Sequence, residues 1–200
     1  MAEKRLQYFS LQEYLELEAN ALEKHEYDDG VIVAMSGGTL NHGIISNNIN
    51  TALNNALNSQ DAGCISINGD VKIYLEQANA VVYPDGMVIC GPVETSGQDK
   101  NAVTNPVLIV EVLSKSTESY DRGEKFHKYC SLPSFKEYIL IDQQKPVIDT
   151  LFRDTASYWK MVTTIGMEKS LYTHTLVCNI PPAGISGNAK TLSAPPFYMG

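Results

Sequence analysis

Apolar and polar residues fall into segments of different period along the chain. Leu11, Tyr14, Leu15, Leu17 and Leu22 recur at helical spacing on a Glu-rich background, and Ser10 with Glu13 makes a capping box. That pattern predicts a helix over about 10–22. β-prone runs on either side of Asp28-Asp29-Gly30 predict a hairpin. Gly37-Gly38-Thr39 leads into a second predicted helix at about 40–59. Its stripe of Leu40, Ile44, Ile45, Ile49, Ala52, Leu53, Ala56 and Leu57 faces a core and leaves its asparagines to water. Residues 64–67 and 71–75 flank Asn68-Gly69-Asp70 and read as another hairpin. Residues 81–89 form a strand interrupted by Pro84-Asp85-Gly86, where regular pairing cannot continue and a bulge or kink is expected.

After a polar loop at 91–104, Asn105-Pro106 opens the run Val107-Leu108-Ile109-Val110-Glu111-Val112-Leu113, apolar except for Glu111. An unbroken run of this length is what a central strand covered on both faces looks like. Burying an ionised carboxylate is costly unless it is paired or bound to a metal, so Glu111 is a structural ion pair or a ligand. A helix follows at about 117–131. Phe126 and Cys130 lie on its apolar side, Lys125 borders them one turn after Asp121, and Lys128 points to solvent. A strand at 136–141 and a hairpin of 147–152 with 157–163 complete the pattern. From Asn179 onward periodicity disappears among prolines, glycines and serines, which predicts an irregular tail. The expected architecture is α/β (α+β), one domain over 1–178 with a tail over 179–200.

Composition narrows the class. A net charge of −8 over 200 residues argues against broad attraction to nucleic acid or an anionic membrane, without excluding a local site. No stretch has the length and apolarity of a signal peptide or membrane span, so a cytoplasmic protein is expected. Cys64, Cys90, Cys130 and Cys178 are isolated and read as reduced thiols.

The candidate chemistry lies in Asp85 and Glu111. Carboxylates on neighbouring strands can converge on one hard divalent cation, Mg²⁺ or Mn²⁺ in its place, with the Val112 carbonyl as a further ligand. Such a cation activates water and neutralises phosphate charge. His42, in the first turn of the second helix, is a cap or surface residue, or a functional group.

Pro84-Asp85, then Leu108-Ile109-Val110-Glu111-Val112-Leu113-Ser114-Lys115-Ser116-Thr117, then Asp121-Arg122-Gly123-Glu124-Lys125-Phe126-His127-Lys128-Tyr129, then Glu137-Tyr138-Ile139-Leu140-Ile141-Asp142 resemble the Uma family of restriction endonucleases, within the PD-(D/E)xK nuclease superfamily. The resemblance runs from about Phe9 to Trp159. It implies a restriction-endonuclease-like αβββαβ core, a mixed sheet flanked by helices, a divalent metal and a phosphodiester substrate, DNA being the expected polymer with RNA left open. It also implies Glu26 and His42 as further site members, their bland alternatives being an ion pair and a cap. The superfamily lysine expected two residues after the glutamate is Leu113 here. Lys125 is the first candidate to replace it, with an ion pair to Asp121 as its alternative, and Lys72 the second. Homodimerisation would let two sites act on two strands. A non-catalytic binding or interaction module that keeps the fold is the rival reading.

Overall fold

The apolar run around Glu111 is strand β8 (Leu108–Leu113), buried at every position. It belongs to a computed structural model that describes residues 7–60, 63–166 and 168–182. Alternate side chains of a strand go to opposite faces. Leu108, Val110 and Val112 pack in one core with Ile45, Ile49 and Leu53 of helix α2 (Leu40–Gln60). Ile109 and Leu113 pack in a second core with Tyr129, Phe135 and Tyr138. Both faces are covered by apolar groups, which is why the run shows no polar alternation.

β8 lies inside a six-stranded sheet of order β11-β10-β9-β8-β6-β3. Its other members are β3 (Cys64–Asn68), β6 (Gly86–Cys90), β9 (Glu137–Asp142), β10 (Val147–Arg153) and β11 (Trp159–Ile165). β8 is antiparallel to β6 and parallel to β9. A parallel neighbour requires a crossover, supplied here by residues 118–129. That crossover is α3 (Glu118–Tyr120), a π-helical turn (Asp121–Lys125) and α4 (Phe126–Tyr129). The order α2, β3, β6, β8, crossover helix, β9 is αβββαβ, around a mixed sheet.

A second sheet of order β2-β1-β5-β4-β7 is built from β1 (His25–Asp28), β2 (Val31–Ala34), β4 (Lys72–Leu75), β5 (Ala80–Val82) and β7 (Ala102–Val103). Helix α1 (Leu11–Glu18) begins with the Ser10–Glu13 capping box and packs Tyr14 against Tyr27 and Val81. It stops short of Leu22, which is exposed. The β1–β2 turn places Asp29 at φ 43° and Gly30 at φ 97°, the paired positive values that a two-residue hairpin turn needs.

Several expectations need correction. Residues 64–75 are not a hairpin: β3 pairs with β6, whereas β4 pairs with β5 and β7. Asn68-Gly69-Asp70 is a corner that carries the chain from one sheet to the other. Gly69 is needed there for closeness, since a Cβ on it would sit 2.8 Å from the Pro84 carbonyl oxygen. The break at 83–85 is the return corner, with β5 in one sheet and β6 in the other. Cys64 and Cys90 are not free thiols; the β3–β6 register sets them opposite one another and a disulfide joins them, leaving Cys130 and Cys178 reduced. The expected tail starts late, because Cys178–Ile180 form β13, paired with β12 (Leu171–Thr173), and Ile180 is fully buried in the α2 core. Residues 183–200 lie outside the described residues. Among the described residues no helix is long and apolar enough to cross a membrane.

Candidate active site

The corner at 83–85 and the strand β8 meet side by side. The Asp85 N–H donates to the Val110 carbonyl at 3.1 Å, and the Val112 N–H donates to Asp85 Oδ2 at 2.7 Å. Asp85 is thereby tied to the β8 backbone on either side of Glu111. Asn50 of α2 holds the corner from behind, donating from Nδ2 to the Asp85 carbonyl at 2.9 Å. Gly86 makes room for it, since a Cβ there would fall 2.5 Å from Asn50 Oδ1. On the open side, His42 Nε2 lies 3.2 Å from Asp85 Oδ2. That hydrogen bond raises the imidazole pKa and outweighs the opposing effect of burial.

Glu111 points to the other face of the sheet, toward the crossover helix. Lys125 reaches it from the π-helical turn, with Nζ 2.9 Å from Glu111 Oε1 and 3.1 Å from Glu26 Oε1 on β1. The ammonium also donates to the Tyr83 carbonyl at 3.1 Å. Asp121, the expected i, i+4 partner, is the farthest of the three carboxylates at 4.0 Å. Tyr129 donates its hydroxyl to Glu111 Oε1 at 2.8 Å, and the Tyr83 N–H donates to Glu26 Oε1 at 3.1 Å.

These groups share a buried charge balance. Burial opposes the charged Lys125, but Glu111, Glu26 and Asp121 overcome it and hold the ammonium above its ordinary pKa. Burial pushes Glu111 up, Lys125 pulls it back, and Asp121 and Asp85 push it up again. Burial likewise raises Asp121. One cation thus serves several carboxylates.

Glu26, His42, Asp85, Glu111, Val112, and Lys125 line a single pocket of about 420 Å³. Lys72 is not brought there; it pairs with Asp99 at 2.8 Å. Lys128 does not face solvent as its helical phase predicts. It pairs with Asp28 at 2.7 Å and donates to the Tyr120 hydroxyl at 3.3 Å, because the β1–β2 hairpin covers that side of the helix. Tyr83 and Asn50 escaped the sequence reading. Tyr83 acts through main-chain atoms that any residue carries, and Asn50 lies among many asparagines of α2.

The donor set suits a hard cation. Each of Asp85 and Glu111 uses one oxygen for the hydrogen bonds above, and its second oxygen accepts none from a described residue. Among the described residues no three His, Cys, Asp or Glu side chains form a metal-binding group by themselves. A cation held here would take two carboxylates, the Val112 carbonyl and water, the sparse protein ligation that Mg²⁺ favours.

Residues 11–177 match the family model Uma2, described as "Putative restriction endonuclease". The chain belongs to the Uma2 family. Two proteins of Synechocystis sp. (strain ATCC 27184 / PCC 6803 / Kazusa) are similar to it. "Uncharacterized protein slr1290" is 39% identical over 75% of this chain and 77% of its own length. "Uncharacterized protein sll1609" is 36% identical over 66% of this chain and 73% of its own. A crystal structure described as "a putative nuclease belonging to DUF820" from Anabaena variabilis ATCC 29413 superposes with a TM-score of 0.70. It shares 13% identity and covers 88% of this chain and 97% of its own. The Uma2 member described here thus has the fold of that structure, a mixed α+β fold of restriction-endonuclease type.

Proposed function

We propose that the chain is a metal-dependent endonuclease that hydrolyses phosphodiester bonds of DNA, with Asp85, Glu111 and the Val112 carbonyl holding Mg²⁺ or Mn²⁺. The observation that carries this reading is Lys125. Leu113 fills the usual lysine position with a core side chain, yet a buried ammonium reaches Glu111 from the next helix at 2.9 Å.

A divalent cation at this site would supply Lewis acidity toward the phosphate and toward the attacking water. The protein's own groups do the rest. Lys125, its side chain buried, sets a fixed positive charge at the base of the pocket, where it can compensate charge developing on phosphate. Glu26 and the Tyr83 carbonyl fix that ammonium, so it need not reorganise during reaction. His42, in the charged form that Asp85 favours, can donate to a phosphate oxygen at the pocket's open side.

The test is incubation of supercoiled plasmid and single-stranded circular DNA with purified protein, with Mg²⁺ or Mn²⁺. Wild type should cleave, Glu111→Gln should not, and Asp85→Asn should lose Mg²⁺ binding by calorimetry. Cleavage by wild type and Glu111→Gln alike, or by neither, overturns the nuclease reading. A second reading, a non-catalytic module, is favoured by the pairing of Lys125 and Lys128 with carboxylates, which leaves little free charge for phosphate. It predicts nucleic-acid or protein binding without cleavage by any form.

A further inference from the structure

Beyond the catalytic pocket, a groove runs from Asp85 and His42 between α2 and the edge strand β3. Its α2 wall presents Asn47, Asn50, Thr51 and Asn54, and its β3 wall Ser66 and Asn68. The charged residues along it are His42 and Asp85 at the catalytic end and Lys24 and Asp70, which are ion-paired at 2.6 Å. Everything else that is polar is an amide or a hydroxyl.

This composition is not what helix stability selects. Asparagine is a poor helix former, and Glu or Lys at the exposed positions would stabilise α2 and gain i, i+4 pairs. In 40–60 there are seven asparagines and no Asp, Glu, Lys or Arg. Beneath this surface Asn50 Oδ1 and Ser66 Oγ are buried without a hydrogen-bond partner, the former against Gly86, so the groove's reachable polar groups are those of Asn47, Thr51, Asn54 and Asn68.

We infer that this groove binds a single strand of nucleic acid, with base and sugar edges turned inward to the amides and phosphates outward. The inference rests on the nuclease reading for the identity of the polymer. Amides hydrogen-bond base edges well, Asn to adenine above all. A duplex fits less well. With no uncompensated lysine or arginine the groove cannot hold either polymer by its phosphates, so recognition falls to base and sugar edges, which a single strand exposes and a duplex keeps largely paired. The β3 wall also flanks α2 on one side, which makes a trough for a strand rather than a free helix for a major groove.

The test measures fluorescence anisotropy of a labelled 12-nucleotide single-stranded DNA of mixed sequence, in EDTA so that binding is read without cleavage. Wild type should bind the strand at least tenfold more tightly than the matching duplex. The log–log salt slope should stay below about 2 in magnitude. The variant Asn47→Ala/Thr51→Ala/Asn54→Ala, at exposed positions and checked by thermal melting, should bind at least tenfold more weakly. Equal affinity for strand and duplex, a steep salt slope, or unchanged binding by the variant overturns the inference. The two readings fail separately: strand binding lost in the variant without any cleavage by wild type removes the nuclease and keeps the groove, and cleavage with unchanged variant binding does the reverse.

Discussion

Replacing Lys125 with methionine removes the one cation shared by Glu111 and Glu26 and keeps the side-chain volume. At an effective dielectric of about 20, a pair at 2.9 Å attracts by about 6 kcal/mol and one at 3.1 Å by about 5 kcal/mol. Much of this gross attraction is offset by the cost of stripping water from the ammonium. Removing one partner of a buried pair typically costs about 3–5 kcal/mol, because the remaining carboxylate is left uncompensated. For a chain of this size that is a fall in Tm of roughly 6–20 °C. The loss should depend on pH in a definite direction. Burial already raises the Glu111 pKa, and without Lys125 to pull it back it rises further. A carboxyl whose folded pKa exceeds its unfolded value contributes stability below the unfolded value, about 4.3, and loses it as pH rises through the folded one. The variant's deficit should therefore be smaller near pH ~4.5 and grow as pH rises toward ~8. Urea denaturation in EDTA at both pH values measures this. A deficit at pH ~8 below about 1 kcal/mol, the range of an exposed pair, would refute the buried-keystone reasoning, as would an equal deficit at both pH values. The double variant Glu111→Gln/Lys125→Met should lose less than the two single losses combined.

Three further outcomes follow from the same geometry. Thiol titration of unfolded protein without reductant should find two reactive cysteines, Cys130 and Cys178, and four after reduction; four at the outset would mean that Cys64 and Cys90 are not joined. Gly86→Ala should push Asn50 off its hydrogen bonds to the Ser46 and Asp85 carbonyls and cost about 2 kcal/mol by denaturant melting, whereas an unchanged midpoint would show that Asn50 shifts freely. Because its bond to Asp85 raises the His42 pKa, the stability from this pair is present below about 6.5 and lost as pH rises through the folded value. Asp85→Asn should therefore lower the His42 pKa in an NMR titration and destabilise more in mild acid than in base; a His42 titration identical in both proteins would contradict this.

Local signals in the sequence were reliable where local chemistry decides. Ser10 and Glu13 cap a helix because both partners lie within one turn. Asp29-Gly30 turns a hairpin because both residues tolerate positive φ. Glu111 stood out because a buried strand admits no unpaired charge. Asn68-Gly69 carried the same hairpin signal and failed, since its glycine serves a close approach to Pro84, a contact made across the fold. Lys125 was readable as bordering an apolar face, but its choice of Glu111 over Asp121 depends on β1 and the 83–85 corner closing around it. Lys128 was misplaced for a related reason: helical phase locates a side chain on its own helix and says nothing of the hairpin laid over it. Pairing of Cys64 with Cys90 requires the β3–β6 register, which no spacing in the chain encodes.

The two corners at 68–71 and 83–85 divide the pocket's walls between two independently hydrogen-bonded sheets. Glu26 stands on one, Glu111 on the other, and Lys125 is bonded to both. The sheets cannot slide past each other without pulling these carboxylates apart, so the ammonium works as a rivet through a seam. Any ligand that fills the pocket grips the same seam and, by mass action, tightens the whole body. Rigidity of the chain and occupancy of its pocket are in this sense one mechanical variable, adjustable from either end.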